Sequence, residues 1–196
     1  MELIIPTFKR LLGEVKNGIA LPMTHLLEYI KNEQHYTKVL QHGLSVKREL
    51  WIGTADIKDL FIKDGSNSIP FLGMLSKLVA RKVNIRLLHA KEPGPMFRKD
   101  FDKYPNLAKS LERAICPRVH FKLFIFDLET VYIGSANLTG AGIGMKNPNR
   151  RNFEAGILTN NPEMVENAIT QFDTVWRGDH CKTCDRKEFC GDRLDG

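Results

Sequence analysis

Two short apolar runs, 119–126 and 131–136, stand only a turn apart, and that closeness limits the folds open to this chain. Strands joined by so short a link pair antiparallel, because a parallel neighbour needs a crossover of a dozen residues or more. An all-parallel sheet is therefore disfavoured. Around this hairpin, strand-like and helix-like segments alternate. Residues 49–54, 83–89 and 151–159 read as further strands. A helix is expected over 68–82, opened by Asn67 or Ser68 with Pro70 in its first turn, and a shorter one over 106–114. Apolar spacing predicts two more, over 1–18 (Phe8, Leu11, Leu12, Val15) and 22–41 (Leu26, Leu27, Ile30). The last begins at Asn161-Pro162, carries Val165, Ile169, Phe172 and Trp176 inward, and stops at Gly178. This alternation predicts an α/β domain with a mixed sheet flanked by helices on both faces.

The 196 residues, 42% hydrophobic and 27% charged, suit one ordinary domain, 1–178, with a small appendage, 179–196. No apolar run reaches membrane-spanning length and no basic, apolar leader opens the chain, so a cytoplasmic protein away from membranes is expected. The net charge is +6. Its excess gathers between Arg81 and Lys103, with Arg81, Lys82, Arg86, Lys91, Arg98, Lys99 and Lys103 against Glu92, Asp100 and Asp102. Such a balance draws polyanions, nucleic acid first.

The hairpin also carries the chemistry. Side chains alternate across a strand, so His120 and Lys122 share a face. A turn centred on Leu128-Glu129 would set His120 opposite Asn137 and Lys122 opposite Ser135, gathering four polar groups. An odd-length loop would undo that register. In such a cluster a neutral imidazole is a nucleophile toward phosphorus. Lys122 and the Asn137 amide would hold the non-bridging oxygens. Glu154, from the next strand, would accept a hydrogen bond from the far imidazole nitrogen. Lys146, Arg150 and Arg151 lie between Asn137 and Glu154, where they could flank a phosphate backbone. One internal echo, Trp51-Ile-Gly-Thr-Ala-Asp56 against Tyr132-Ile-Gly-Ser-Ala-Asn137, reads as two similar strand exits and not as a second site.

Together, His120, Lys122, Asp127, Gly134, Ser135 and Asn137 resemble the phospholipase D superfamily, whose signature is His-x-Lys-x4-Asp followed by Gly-Ser-x-Asn. Asn152-x-Glu154 is similar to the acidic position that follows in that family. The resemblance implies a phospholipase D-like fold and metal-independent phosphodiester cleavage through a phosphohistidine, with Asp127 supportive and Ser135 a hydrogen-bonder. It also implies a second histidine, which protonates the leaving oxygen. The full motif occurs once here, so the expected assembly is a homodimer with two His120 side chains facing across a two-fold axis.

The cysteines make a second signal. Of four, Cys181, Cys184 and Cys190 crowd the C-terminus and Cys116 stands apart. A Cys-x2-Cys-x5-Cys tail predicts a structural metal centre, zinc or an iron–sulfur cluster, with Cys116 or His180 as fourth ligand. Three functions are weighed. The leading one is an endonuclease-like hydrolase on DNA or RNA. The others are phospholipid hydrolysis or phosphatidyl transfer, with Met96, Phe97 and Phe101 at an apolar entrance, and a catalytically weak nucleic-acid-binding module within a repair or restriction assembly.

Overall fold

The computed structural model of the chain describes residues 25–58 and 60–191, so the helix expected over 1–18 lies outside the described residues. Nine strands and four α-helices follow in order. The strands are β1 Leu27–Lys31, β2 Glu49–Thr54, β3 Phe61–Asp64, β4 Asn67–Pro70, β5 Asn84–His89, β6 Leu111–Ile115, β7 Lys122–Phe126, β8 Thr130–Gly134 and β9 Ala155–Thr159. The helices are α1 Phe71–Ala80, α2 Pro95–Phe101, α3 Pro105–Ser110 and α4 Pro162–Trp176. Seven strands form one mixed sheet in the order β1-β9-β8-β7-β2-β5-β6, and β3 and β4 form a separate hairpin. β2, β5 and β6 are parallel, while β7 runs antiparallel to both its neighbours, β2 and β8.

Burial explains the central place of β7. Its Lys-Leu-Phe-Ile-Phe run is buried at every residue, the pattern of a strand covered on both faces. On one face Phe124, Phe126 and Tyr132 join Leu50, Ile52, Leu87 and the α1 residues Met74, Leu75 and Leu78. On the other, Leu123, Ile125 and Val131 meet Val165, Ala168 and Phe172 of α4. The Phe172 ring is fully buried between Trp51, 5.2 Å away, and Trp176, 5.7 Å away. Arg86 is drawn inward as well, its guanidinium 4.5 Å from the Trp51 ring and paired with Asp173. Helices thus cover both faces, as the alternation predicted.

Four local expectations are corrected. Within 22–41 the chain forms strand β1 and a π-helical turn, His35–Leu40. Leu27 and Tyr29 face out and Ile30 in, because β1 pairs as an edge with β9; the apolar spacing there fits either period. Residues 67–70 are strand β4, turned back from β3 at Gly65, and the helix opens only at Phe71. The helix expected over 106–114 ends at Ser110, since Leu111–Ile115 adds a parallel edge to β5. The last strand starts at Ala155, leaving 152–154 free to turn toward the sheet end. Helix α2 was not foreseen. α4 begins where the sequence indicates, with the Asn161 side chain accepting from the Met164 N–H at 3.1 Å and Gly178 at φ 71°.

Candidate active site

The hairpin register differs from the simple expectation by one residue. Asp127 and Leu128 both take positive φ, 53° and 59°, and Phe126 pairs with Thr130 across residues 127–129. The loop is therefore odd-length, and Lys122 lies opposite Gly134 rather than Ser135. The polar groups still meet, but by another route. They lie just beyond the ladder, where β2, β5 and β8 end and β7 begins.

Lys122 is the first residue of β7 and is only 6% exposed. Its Nζ donates to the His120 carbonyl at 2.7 Å and sits 3.4 and 3.5 Å from the two His120 ring nitrogens. The imidazole itself is exposed. Burial lowers the Lys122 pKa below the ordinary lysine value, and the charge of Glu154 opposes that shift. Phe121, between the two, lies flat on β2: a Cβ at Gly53 would fall 2.2 Å from its ring. Below the site, Tyr132 lies so close to Gly134 that a Cβ there would fall 2.1 Å from its hydroxyl.

Glu154 is a hub. Its carboxylate accepts from the Ser135 hydroxyl and, at 3.0 Å, from the Asn152 side chain. Ser135 also accepts from the Ala155 N–H at 3.1 Å. The backbone of Glu154 is bracketed by Asn32, whose N–H donates to its carbonyl at 3.1 Å and whose Oδ1 accepts its N–H at 3.3 Å. In this single chain Glu154 thus engages Ser135 and Asn152, whereas the sequence suggested a bond to the His120 ring. Asn137 is fixed separately: its Oδ1 accepts the Asp56 N–H at 3.2 Å. Only an oxygen can accept there, so the amide's Nδ2 is the group offered to a ligand.

Asp127 lies at the far end of β7. Its carboxylate accepts from the amides of Lys47, Arg48 and Glu49 at 3.1, 2.7 and 3.0 Å. Those bonds hold its pKa below the usual aspartate value against the opposing pull of burial. Arg151 is paired with Glu33 at 2.9 Å, while Lys146 and Arg150 are exposed. His89-Ala90-Lys91 repeats the His-x-Lys spacing, but His89 is fully buried and its Nδ1 meets the Lys91 carbonyl at 2.8 Å. Sequence reasoning missed Asn32 and Asp56. Asp56 had a signal, the echo of Ala136-Asn137 in Ala55-Asp56. Asn32 had none.

The tail brings Cys116, His180, Cys181 and Cys184 to one cavity of about 200 Å³ beside α4, and the Cys190 thiol lies 3.7 Å from the Ile115 carbonyl. Among the described residues, however, no group of three or more His, Cys, Asp or Glu side chains is arranged to hold a metal ion. The expected zinc or iron–sulfur centre is not supported by this geometry: the thiols share a cavity without converging on one point. Nor is any described helix long and apolar enough to cross a membrane.

Residues 44–176 match the family model described as "Cardiolipin synthase, PLD-like domain". A search of curated proteins found no match. Among solved structures, the chain is similar to NucT from Helicobacter pylori, with a TM-score of 0.59 and 14% identity, covering 78% of this chain and 96% of that one. It is similar to Nuc, a phospholipase D family member from Salmonella typhimurium, with a TM-score of 0.56 and 18% identity over 78% and 95%. It also resembles the phosphatidylserine synthase of Haemophilus influenzae, with a TM-score of 0.55 and 13% identity over 84% and 41%.

Proposed function

The chain belongs to the phospholipase D superfamily of phosphodiesterases, and on that premise we propose that it cuts DNA or RNA as a homodimer through a phosphohistidine on His120, without a catalytic metal. One observation carries the reading: a buried lysine ammonium is folded against an exposed histidine ring, beside an amide donor held in place by its own carbonyl.

The steps balance with two imidazoles. A neutral His120 nitrogen attacks phosphorus, and a P–N bond forms as the P–O bond to the leaving alcohol breaks. The leaving oxygen takes a proton from the imidazolium of the partner subunit's His120. That imidazole, now neutral, then takes a proton from water; the water oxygen bonds to phosphorus and the P–N electron pair returns to His120. Lys122 and the Asn137 Nδ2 stabilise the charge on the non-bridging oxygens. Glu154 keeps Lys122 protonated through its field and fixes Ser135 and Asn152.

A second copy fits the surface as well as the chemistry. Tyr29, Ile157 and Ile133 are cross-strand partners in one row on β1, β9 and β8, and they are 66%, 38% and 36% exposed. Phe153, next to Glu154, is 94% exposed. Burying an apolar row of this kind against its copy favours association. We read 179–196 as an appendage to the catalytic domain, its described part packed beside α4.

Nucleic acid is favoured over lipid by the net charge of +6 and by the lack of an apolar entrance. Phe97 is 4% exposed and Phe101 packs on the core. The chain also spans nearly all of Nuc and NucT but under half of the phosphatidylserine synthase. The test is turnover of a generic phosphodiester in the presence of chelator, for wild type and His120→Ala, with nucleic acid and phospholipid vesicles as competitors. Loss of turnover in the variant, together with a phosphorylated histidine trapped at position 120, is the expected result. Equal rates in both proteins would end the enzyme reading, and competition by vesicles alone would transfer it to lipid.

A further inference from the structure

A groove of about 610 Å³ leads away from the candidate site. One wall is Asp56-Ile57-Lys58 and the other runs from Lys91 to Phe97. It is joined to the site through a single residue, since the Asp56 that lines it holds Asn137 by its N–H. The joint is stiff. Leu138 N–H donates to the Asp56 carbonyl at 3.1 Å, and Lys58 N–H donates to the Leu138 carbonyl at 2.9 Å.

The charges in the groove are arranged around one anion. The Asp56 carboxylate is approached by Lys91 Nζ at 3.2 Å and Lys58 Nζ at 3.7 Å. Both ammonium groups are about two-thirds exposed, at 66% and 68%, so these pairs are weak and exchangeable. The other carboxylate of the groove, Glu92, is already met by Arg98 at 3.4 Å and Arg113 at 3.5 Å. Four cations therefore surround two carboxylates. Opposite the lysines, Met96 is 60% exposed and offers a polarizable contact to a flat ring.

We propose that this groove holds the nucleic-acid strand on one side of the scissile phosphate, with Lys58 and Lys91 on the flanking backbone phosphate and Met96 against its base. The inference rests on the phosphodiesterase reading above and adds to it the direction in which the strand leaves the site. Swinging the two lysines from the Asp56 carboxylate to a phosphate breaks only surface pairs, and Asp56 keeps its grip on Asn137 because that bond uses the backbone. A lipid chain fits the groove poorly, since Met96 is its one large exposed apolar side chain.

The test compares kcat/KM of Lys58→Ala/Lys91→Ala on a short single-stranded oligonucleotide and on bis(4-nitrophenyl) phosphate, which reaches only the reacting centre. The ratio of oligonucleotide to small-diester kcat/KM should fall by about tenfold at moderate salt, and the slope of log affinity against log salt should shrink by about two, one per lysine lost. Oligonucleotide binding to the His120→Ala protein, read by fluorescence anisotropy with and without the lysine substitutions, should weaken to a similar degree. An unchanged ratio with an unchanged salt slope overturns the proposal, as does an equal fall on both substrates, which would make the lysines props for Asn137. An effect confined to anionic phospholipid vesicles overturns it too. Failure of the phosphodiesterase reading shows separately, as turnover that survives His120→Ala.

Discussion

The backbone N–H of Asp56 reaches the side-chain oxygen of Asn137 across 3.2 Å and so decides which end of that amide meets a substrate. The two residues sit at the ends of β2 and β8, which run parallel on either side of β7, and a bridge between Ile57 and Leu138 locks the two exits together. Asn137→Asp keeps the acceptor for Asp56 but replaces the donor with a negative charge. The variant should fold normally and lose about 10²–10³ in kcat on a small diester, the usual loss for removing one charge-stabilising donor. Steady-state kinetics beside a thermal melt checks both halves.

The alkaline limb of the pH–rate profile should belong to Lys122. Burial lowers its pKa, so the working ammonium loses its proton at a lower pH than an exposed lysine would, and activity falls as pH rises through that value. Arginine stays charged across this range. In Lys122→Arg the residual activity, though small, should hold to higher pH. A limb that does not move would assign the loss to another group.

Asp127, a member of the family signature, should matter for stability and not for turnover. Its carboxylate satisfies three backbone amides at the end of β7, and hydrogen bonds to a charged group contribute about 1.5–3 kcal/mol each at most before losses to solvent are counted. Denaturant titration of Asp127→Ala should show destabilisation of about 2 kcal/mol, with kcat of the folded protein retained. The sign with pH follows from the lowered pKa: the stabilisation is present above the model-peptide value of 3.8 and is lost as pH falls through the folded value. The variant's stability curve should be flatter in that acid range.

His35 gives a second acid-sensitive element. It is fully buried against Tyr132, ring centroids 5.4 Å apart, and burial lowers its pKa below 6.5. The unfolded chain therefore takes up the proton first, and stability falls as pH drops from 6.5 toward the folded value. Substituting His35→Phe should weaken that dependence, measurable as a smaller change in melting temperature between neutral and mildly acid buffer.

Ile157→Lys places a charge in the middle of the exposed Tyr29–Ile157–Ile133 row without touching the site. Sedimentation velocity should move from dimer to monomer, and turnover should fall with it, since one chain holds one half of the acid–base pair. A fully active monomer would remove the partner from the mechanism.

The candidate site was legible because its residues lie in two short stretches on one hairpin and the strand after it. The route by which they meet was not. The Leu128-Glu129 turn was a reasonable reading of a short link, but two consecutive residues with positive φ at Asp127 and Leu128 shifted the ladder by one. Backbone sign at a non-glycine position leaves little mark in a sequence. Edge strands were misread for a related reason. β1 and β6 are five residues each, too short for period two to be told from helical spacing, and only their partners β9 and β5 decide the matter. The central strands were plain because burial on both faces writes itself as an unbroken apolar run. The cysteine tail misled in the opposite direction, since ligand spacing along the chain says nothing of where the thiols point.

Phe121 pressed onto Gly53 ties the candidate nucleophile to the middle of the sheet. The ring also packs on the cluster under α4, so His120 moves freely only if that layer opens. Fluctuations of the site are then coupled to loss of the core, not to a separate loop motion. On heating, turnover should persist up to the unfolding transition and vanish within it, with the Lys122 and Leu123 amides among the last to exchange with solvent.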